Sequence, residues 1–366
     1  MDSPVLAQPL SKGQIVGDWL AGGIYKLGLW HPYFRLKRSQ GGGCPVAILT
    51  FHRIVDDDTD YLYKGPTVHT HVELFEQLIS AISRFYNVLS LDDVVGAFKD
   101  GRPFSTDSVA ITFDDGYEDT FRLGLPILRR YRVPATVFVA TGFTDTSEAM
   151  WTDRVEQALL HSQKEAFRLD ELGAGFEAAS LPIKTVMEKR VANATLARRF
   201  KGLDSMALSY VVGRLEDLLE PDTDRYARTM MNWDELRGLH RGGVEIGSHG
   251  VTHNIMTRQE FAVARDELRL SKEALEDNLG ITVKHFAFPN GRSQDFSPEL
   301  VGACRELGYE SICSAEWGLC QPGVEDRYFL KRVALTRTVP RSLLALEGSF
   351  FRWHRARKHS RERSEP

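Results

Sequence analysis

The chain has 366 residues, of which 42% are hydrophobic and 26% are charged. This composition is typical of a folded globular protein and excludes a disordered or collagen-like chain. Basic and acidic residues number 46 and 50, giving a net charge of -4, so the overall charge gives no reason to expect nucleic acid as a partner. The cysteines, at 44, 304, 313 and 320, form no CxxC pair, which predicts buried free thiols rather than a disulfide framework or zinc finger.

Residues 1 to about 40 include an apolar stretch in which Val16, Leu20, Ile24 and Leu27 recur at helical spacing. Two interpretations stay open: a helix packed on the protein's own core, and an interfacial helix lying on lipid. The segment lacks the basic start, apolar run and cleavage site of a signal peptide, and no stretch of the chain reaches about 18 uncharged apolar residues. We therefore expect a cytoplasmic location, with peripheral contact to the inner membrane surface as an additional option.

Short β-rich runs follow the Gly41–Gly43 breaker and alternate with helical patterns. The predicted strands are Val46–Phe51, Val109–Phe113, Ala135–Ala140, Val244–Gly247, His285–Phe288 and Ser311–Ser314, and helical patterns include His71–Phe85, Phe121–Tyr131 and Phe261–Leu279. Strands without strict alternation predict an α/β fold whose parallel sheet is covered by helices and is either open or closed into a barrel. In both forms the active site is expected at the carboxyl ends of the strands.

Two further regions differ from this pattern. Residues 151–231 are charge-rich and favour helix, which predicts a helical insertion. Residues 351–366 are strongly basic, and a disordered tail is the default expectation, with attraction to anionic lipid headgroups or nucleic acid as the alternative. The predicted organisation is an amphipathic segment 1–40, a catalytic domain 41–340 that carries the insertion, and a basic tail 341–366.

Two adjacent carboxylates, Asp114 and Asp115, follow the apolar run that ends at Phe113. Successive residues of an extended chain point to opposite sides, so one carboxylate can bind a metal while the other stays free. The alternative, an acidic turn that caps the next helix, is common for one aspartate but weaker for two at the end of an apolar strand.

Two histidines, His249 and His253, follow the predicted strand Val244–Gly247. They are four residues apart, a spacing that can place both imidazoles on one metal. Together with Asp115 they make a set of two histidines and one carboxylate with open coordination positions. Such a site activates water near neutral pH and polarises a carbonyl, and a separate carboxylate, Asp114, can take the proton. These residues predict hydrolysis of an amide or ester.

The segments 112–116 and 248–253 resemble the first two motifs of the polysaccharide deacetylase family, the carbohydrate esterases with a NodB homology domain. The resemblance covers about 44–338 and implies a deformed (β/α) barrel with a helical insertion. It also implies one divalent metal, usually zinc, with cobalt, nickel or iron as alternatives. By this resemblance Asp114 is the catalytic base, and Asp115, His249 and His253 are the metal ligands.

The later family motifs are less regular. Phe288, Pro289, Asn290 and Gly291 resemble a motif that forms a groove wall, but the preceding residue 287 is alanine where many members have an arginine that pairs with the base. Without a cation the pKa of the base would be less depressed. Arg332 is the candidate replacement, and a surface arginine is the alternative.

The family's C-terminal catalytic histidine is absent from its usual context. The segment around His52 resembles the one that carries this histidine in a circularly permuted subset of the family. His52 is therefore the candidate general acid. The alternative is that His52 is a buried histidine with a structural role. Tyr117, directly after the first motif, either lines the groove or packs.

Together with the family resemblance, which implies removal of acetyl groups from sugars, these residues predict a metal-dependent deacetylase that hydrolyses the acetamide of N-acetylated amino sugars. The expected partner is an N-acetylated polysaccharide or a lipid- or nucleotide-linked glycan precursor, and nucleic acid is not expected. Two alternatives remain: hydrolysis of a non-sugar amide at the same metal site, and a catalytically silent module that binds glycans or scaffolds an assembly.

Overall fold

The computed structural model describes residues 43–56, 61–62, 68–173, 175–335 and 338–364, so the predicted amphipathic segment 1–40 lies outside the described residues. The strands are β1 (Val46–Phe51), β2 (Arg53–Val55), β3 (His69–His71), β4 (Asn87–Leu89), β5 (Ser108–Phe113), β6 (Ala135–Val139), β7 (Ala166–Arg168), β8 (Ser180–Pro182), β9 (Val244–Ser248), β10 (His285–Ala287), β11 (Ser311–Trp317) and β12 (Leu330–Ala334). The helices are α1 (Val72–Phe85), α2 (Leu91–Lys99), α3 (Leu125–Tyr131), α4 (Trp151–His161), α5 (Val186–Phe200), α6 (Ser205–Leu219), α7 (Trp233–Arg241), α8 (Phe261–Leu279), α9 (Pro298–Glu306) and α10 (Val339–Ser364).

Seven parallel strands close into a barrel in the order β1, β12, β11, β10, β9, β6, β5 and back to β1. Strand β4 lies outside this ring and pairs with β5. Because β1 pairs with both β12 and β5, the sheet has no open edge there, and the open-sheet alternative is excluded. The predicted α/β barrel is confirmed.

Alternate residues of the barrel strands belong to different parts of the core. In β1, Ala47 and Leu49 pack in the large cluster that includes the surrounding helices, whereas Val46 and Ile48 pack in a smaller cluster with α2. This period of two is what strands buried on both faces require, and it shows that the barrel interior is filled with side chains. Arg332 of β12 lies beside Ile48 in register, so this arginine shares the interior side.

The predicted strands are all present, with boundaries that differ by a few residues. The sequence prediction omitted β12, because Lys331 and Arg332 interrupt its apolar run. The predicted helix 121–131 begins as a π-helical turn at Thr120–Gly124 before α3. All four cysteines are free and buried, as predicted.

The insertion 151–231 is not purely helical as predicted. Helices α4, α5 and α6 accompany an antiparallel pair, β7 and β8, whose three-residue strands are too short to give a recognisable alternation. Its buried residues, among them Leu196, Phe200 and Leu215, form a hydrophobic cluster separate from that of the barrel. The insertion therefore has its own hydrophobic core. It rejoins the barrel at Met231, whose amide donates to the Gly116 carbonyl in the loop after β5, at the carboxyl ends of the strands (the barrel mouth).

Helix α10 shows that disorder was the wrong expectation for residues 351–364. Leu343, Leu346 and Phe350 are buried against the barrel, and the helix continues through the basic residues to Ser364. In the described part of the chain, no helix combines the length and apolar character needed to cross a membrane. The cytoplasmic location stays a prediction.

Candidate metal centre and catalytic site

The predicted site residues meet at one end of the barrel, where the parallel strands have their carboxyl ends. Asp114 and Asp115 follow β5, His249 follows β9, and His52 follows β1. Backbone hydrogen bonds tie these ends together, since the amide of Asp114 donates to Phe51 at 2.9 Å and the amide of His249 donates to Val139 at 2.9 Å. The strands therefore hold the side chains at fixed positions around the mouth.

Asp114 and Arg332 form a bidentate ion pair inside the barrel. The two guanidinium nitrogens Nη1 and Nη2 donate to the two carboxylate oxygens at 2.6 and 2.7 Å, and Nε of Arg332 donates to the Ser314 carbonyl at 2.8 Å. The side chains are only 3% and 5% exposed. Arg332 thus lies against Asp114 and is not a surface arginine.

This pair sets the ionisation of Asp114. Burial alone would raise the pKa of the carboxyl group, but the charge and hydrogen bonds of Arg332, together with the nearby His249 and His52, outweigh burial and lower the pKa below its usual value. Asp114 is therefore ionised near neutral pH and can accept a proton.

Three ligand atoms converge beside this pair. Oδ1 of Asp115 lies 3.1 Å from Nε2 of His253 and 3.4 Å from Nε2 of His249. Although this oxygen is buried, it makes no hydrogen bond to the described residues. Ligands about 2.0–2.1 Å from a tetrahedral zinc ion lie roughly 3.4 Å from one another, so the spacing and the uncompensated oxygen fit a divalent metal.

Hydrogen bonding prepares His249 as a ligand. Its Nδ1 lies 2.6 Å from the Ala287 carbonyl, and because a carbonyl only accepts, Nδ1 carries the hydrogen. The lone pair is then on Nε2, which faces Asp115. A partner of this kind fixes the ring orientation of metal-binding histidines.

The backbone is strained at three of the site residues. Asp115, His253 and Asn290 have φ angles of 78°, 56° and 59°, a left-handed conformation that is uncommon for residues other than glycine. Residues held this way cluster at functional sites because the surrounding structure must impose the conformation.

The loop between the two histidines is ordered by Glu267, a residue that the sequence analysis missed. Its carboxylate accepts from the amides of Val251 and Thr252 at 2.6 and 2.9 Å and from the Thr252 hydroxyl at 2.6 Å. Glu267 is only 7% exposed and lies on the buried face of α8. A glutamate at helical spacing from Ala264, Leu268 and Leu275 was the sequence signal that could have identified it.

His52 stands at the same mouth, with Nε2 3.9 Å from Oδ2 of Asp114. Its side chain is 25% exposed, so it reaches the solvent from which a substrate would approach. Nδ1 of His52 has no hydrogen-bond partner among the described residues, and its predicted role as general acid stays a prediction.

Tyr117 packs beneath the mouth rather than lining it. The residue is 3% exposed, and its hydroxyl lies 3.2 Å from the carboxylate of Asp153 in α4. The Arg53 guanidinium lies over the Tyr117 ring at 4.9 Å and binds Asp119 at 2.8 Å. These contacts connect the start of β2, the loop after β5 and the insertion.

The groove-wall segment 288–291 is mostly buried. Phe288 is 1% exposed and stacks on Phe296 at 4.8 Å, and Pro289 and Gly291 are also buried. Asn290 is half-buried and lines a cleft together with His253. Within this segment Asn290 is therefore the side chain placed to contact a ligand.

A second group of potential ligands, Cys44, Asp107 and His354, lies at the opposite end of the barrel, before β1 and β5. Nε2 of His354 lies 3.0 Å from Oδ1 of Asp107. This contact attaches α10 to the barrel and lies away from the mouth.

Comparison with known proteins agrees with this architecture. The solved structures that resemble the chain include the following three. The Streptococcus pyogenes deacetylase PplD in complex with acetate has 16% identity, a TM-score of 0.52, and coverage of 85% of this chain and 99% of that one. IcaB from Ammonifex degensii has 14% identity and a TM-score of 0.53, with coverage of 84% of this chain and 97% of that one. The putative polysaccharide deacetylase BA0330 from Bacillus anthracis has 15% identity and a TM-score of 0.51, with coverage of 83% of this chain and 69% of that one. At these identities the likeness shows the fold.

Among curated proteins, no sequence matches the chain. The family model described as polysaccharide deacetylase matches residues 101–170 and 201–312. The unmatched stretch between these ranges lies inside the insertion, and the matched ranges contain both aspartates and both histidines of the mouth. The chain therefore belongs to the polysaccharide deacetylase family, and this membership implies a hydrolase that acts on the N-acetyl amides of sugars.

Proposed function

We propose that the protein is a metal-dependent deacetylase that hydrolyses the acetamide of N-acetylated amino sugars, in a polysaccharide or in a lipid- or nucleotide-linked precursor. The observation that carries this proposal is the separation of roles at the mouth. Three ligand atoms converge on one point, while Asp114 is held apart from them by Arg332. A purely structural acidic cluster has no need of an ionised carboxylate beside a complete ligand set.

Asp115, His249 and His253 would hold the metal, and two imidazoles with one carboxylate form a ligand set that suits zinc. When bound, a divalent ion supplies Lewis acidity that polarises the acetamide carbonyl and lowers the pKa of water. The protein's own side chains carry out the proton transfers.

Asp114 accepts the proton of the attacking water. It suits this role because Arg332 keeps it ionised, while the enclosed position limits competition from solvent. Arg332 acts as a positioning residue, because its fork fixes the direction of both carboxylate oxygens.

His52 is proposed to donate a proton to the leaving amine. Its partial exposure and its 3.9 Å separation from Asp114 allow a substrate nitrogen to approach the ring from the solvent side. The products are acetate and a free amino sugar.

The test is acetate release from a panel of N-acetylated oligosaccharides and from lipid- and nucleotide-linked N-acetyl sugars, with zinc- or cobalt-loaded protein. Asp114→Asn is the matched variant, because it removes the base and keeps every proposed metal ligand. The proposal expects release by the wild type that collapses in the variant at equal metal content. Stoichiometric metal without release from any substrate would favour a non-sugar amide or a silent binding module.

A further inference from the structure

A cleft lies beside the metal centre, between the insertion and the barrel. One wall comes from the insertion and contains Trp151, Phe200 and Lys201, and the other comes from the segment 253–259 that begins at His253. The cleft therefore lies between a proposed metal ligand, His253, and the insertion 151–231, which the family model does not match in full.

Positively charged side chains line the cleft. Lys201 and Arg258 both line it, and Arg292 lies close enough to Lys201 to repel its charge. Within the described ranges, none of these three side chains has a carboxylate within 4.0 Å or a hydrogen-bond partner. All three are solvent-exposed.

The pKa of Lys201 reflects both burial and a neighbouring cation. Its side chain touches solvent but is otherwise surrounded by protein, and this desolvation together with repulsion from Arg292 lowers its pKa, while Asp295 and Asp115 oppose the shift. Asp295 is already used as an acceptor for the Arg292 amide. Glu316, an acid whose carboxylate interacts with Arg292, accepts from the Ser293 amide.

We propose that this cleft binds a phosphate group of the substrate, held by Lys201 and Arg258 while the N-acetyl sugar occupies the metal centre. The proposal rests on the proposed deacetylase function and adds the substrate class, a glycosyl phosphate or pyrophosphate. Unpaired lysine and arginine side chains are the usual phosphate ligands, and the arginine fork matches two phosphate oxygens.

The half-buried Trp151 in the same wall supports this arrangement. Its ring offers an apolar surface next to the cations, as a substrate with both a sugar or base ring and a phosphate requires. A neutral glycan would leave the cations without a partner.

The test compares three substrates with zinc-loaded full-length protein: neutral N-acetylated chitotetraose, UDP-N-acetylglucosamine, and a polyprenyl pyrophosphate-linked N-acetylglucosamine in detergent. The last two distinguish a nucleotide from a lipid source of the phosphate. The variant is the double substitution Lys201→Gln with Arg258→Gln. The matched control is Arg198→Gln, an exposed residue of α5 that does not line the cleft.

We expect the wild type to prefer at least one phosphorylated substrate in kcat/KM. In the double variant this preference should fall by about ten- to hundredfold, the loss expected for hydrogen bonds to a charged group. The Arg198→Gln control should keep the preference. A wild type that prefers chitotetraose, or a preference that survives the double substitution, would overturn the inference.

A binding measurement separates this inference from the proposed function. Inorganic pyrophosphate is titrated calorimetrically into metal-free protein at low ionic strength. The wild type and Arg198→Gln should bind it, and the double variant should bind it at least about tenfold more weakly. Equal binding by all three would overturn the inference even if deacetylation is observed. Failure of every substrate to release acetate, with normal pyrophosphate binding, would count against the proposed function alone.

Discussion

The barrel mouth and the insertion cleft differ in how their charged side chains are paired. At the mouth Asp114 has both oxygens engaged by Arg332 in a buried pair. In the cleft Lys201 and Arg258 are exposed, and in the described part of the chain neither has an acidic partner within 4.0 Å. The difference indicates a division of roles: the mouth is organised before substrate arrives, whereas the cleft keeps its charges for an incoming ligand.

The largest effect is expected from removing the base at the mouth. Asp114→Asn should lower kcat by about 10²–10⁴-fold, because a positioned general base contributes roughly that much. Metal content, measured by elemental analysis, should stay at the wild-type value since Asp114 is not among the converging ligand atoms. Full activity in a folded, metal-loaded variant would remove Asp114 from the mechanism.

Breaking the buried pair from the other side should cost stability and shift the pH profile. Arg332→Met leaves a buried carboxylate without its cation, which should lower the free energy of unfolding by about 3–5 kcal/mol. Without Arg332 the pKa of Asp114 should rise, because the largest contribution that lowers it is lost. Because Asp114 acts only when ionised, the acid limb of kcat/KM should move to higher pH.

The control for this prediction is Lys331→Met, the neighbouring strand residue, which is 34% exposed and 3.9 Å from Glu325. It should change stability by no more than about 1 kcal/mol and leave the acid limb in place. An unchanged acid limb in Arg332→Met would contradict the coupling to Asp114.

A smaller effect is expected from the loop that carries His253. Glu267→Gln weakens the hydrogen bonds to Val251 and Thr252, so metal affinity should fall by about 10–100-fold, as for other residues that orient metal ligands. Chelator competition measures this affinity. Glu273→Gln, an exposed residue of the same helix that pairs with Arg269, should leave it unchanged, and an equal effect of both changes would mean that Glu267 has no special role.

The smallest effect is expected from an ion pair of the insertion. Arg154 and Glu216 are bonded as a fork, like the pair at the mouth, but their side chains are 28% and 25% exposed. Glu216→Gln should therefore lower the free energy of unfolding by less than about 1 kcal/mol, as measured by urea denaturation. A loss as large as that of Arg332→Met would show that burial does not distinguish the two regions.

The mouth was predictable because its chemistry is local in sequence. Asp114 and Asp115 directly follow an apolar strand, and His249 and His253 directly follow another. Parallel strands bring their carboxyl ends to one edge, so no side-chain coordinates are needed to expect these residues together. Arg332 was harder, because it lies in a strand whose charges hid its apolar pattern, and its partner Asp114 is 218 residues away.

The cleft was not predictable in this way. Lys201 and Arg258 lie on segments that are separate in sequence and polar in character, so each one resembles an ordinary surface cation. Only the packing of the insertion against the barrel shows that both line the same cleft. Glu267 is intermediate, since its helical position among Ala264, Leu268 and Ser271 indicates burial but not which amides it binds.

We propose that Asp115, His249 and His253 form the metal centre of the barrel mouth. Anomalous diffraction from zinc-soaked crystals at the zinc edge would locate a bound ion. We expect one strong peak bonded to Oδ1 of Asp115 and to Nε2 of both histidines, and we expect this peak to disappear in Asp115→Asn. The absence of a peak at the mouth, or a peak found instead at Cys44, Asp107 and His354, would contradict this proposal.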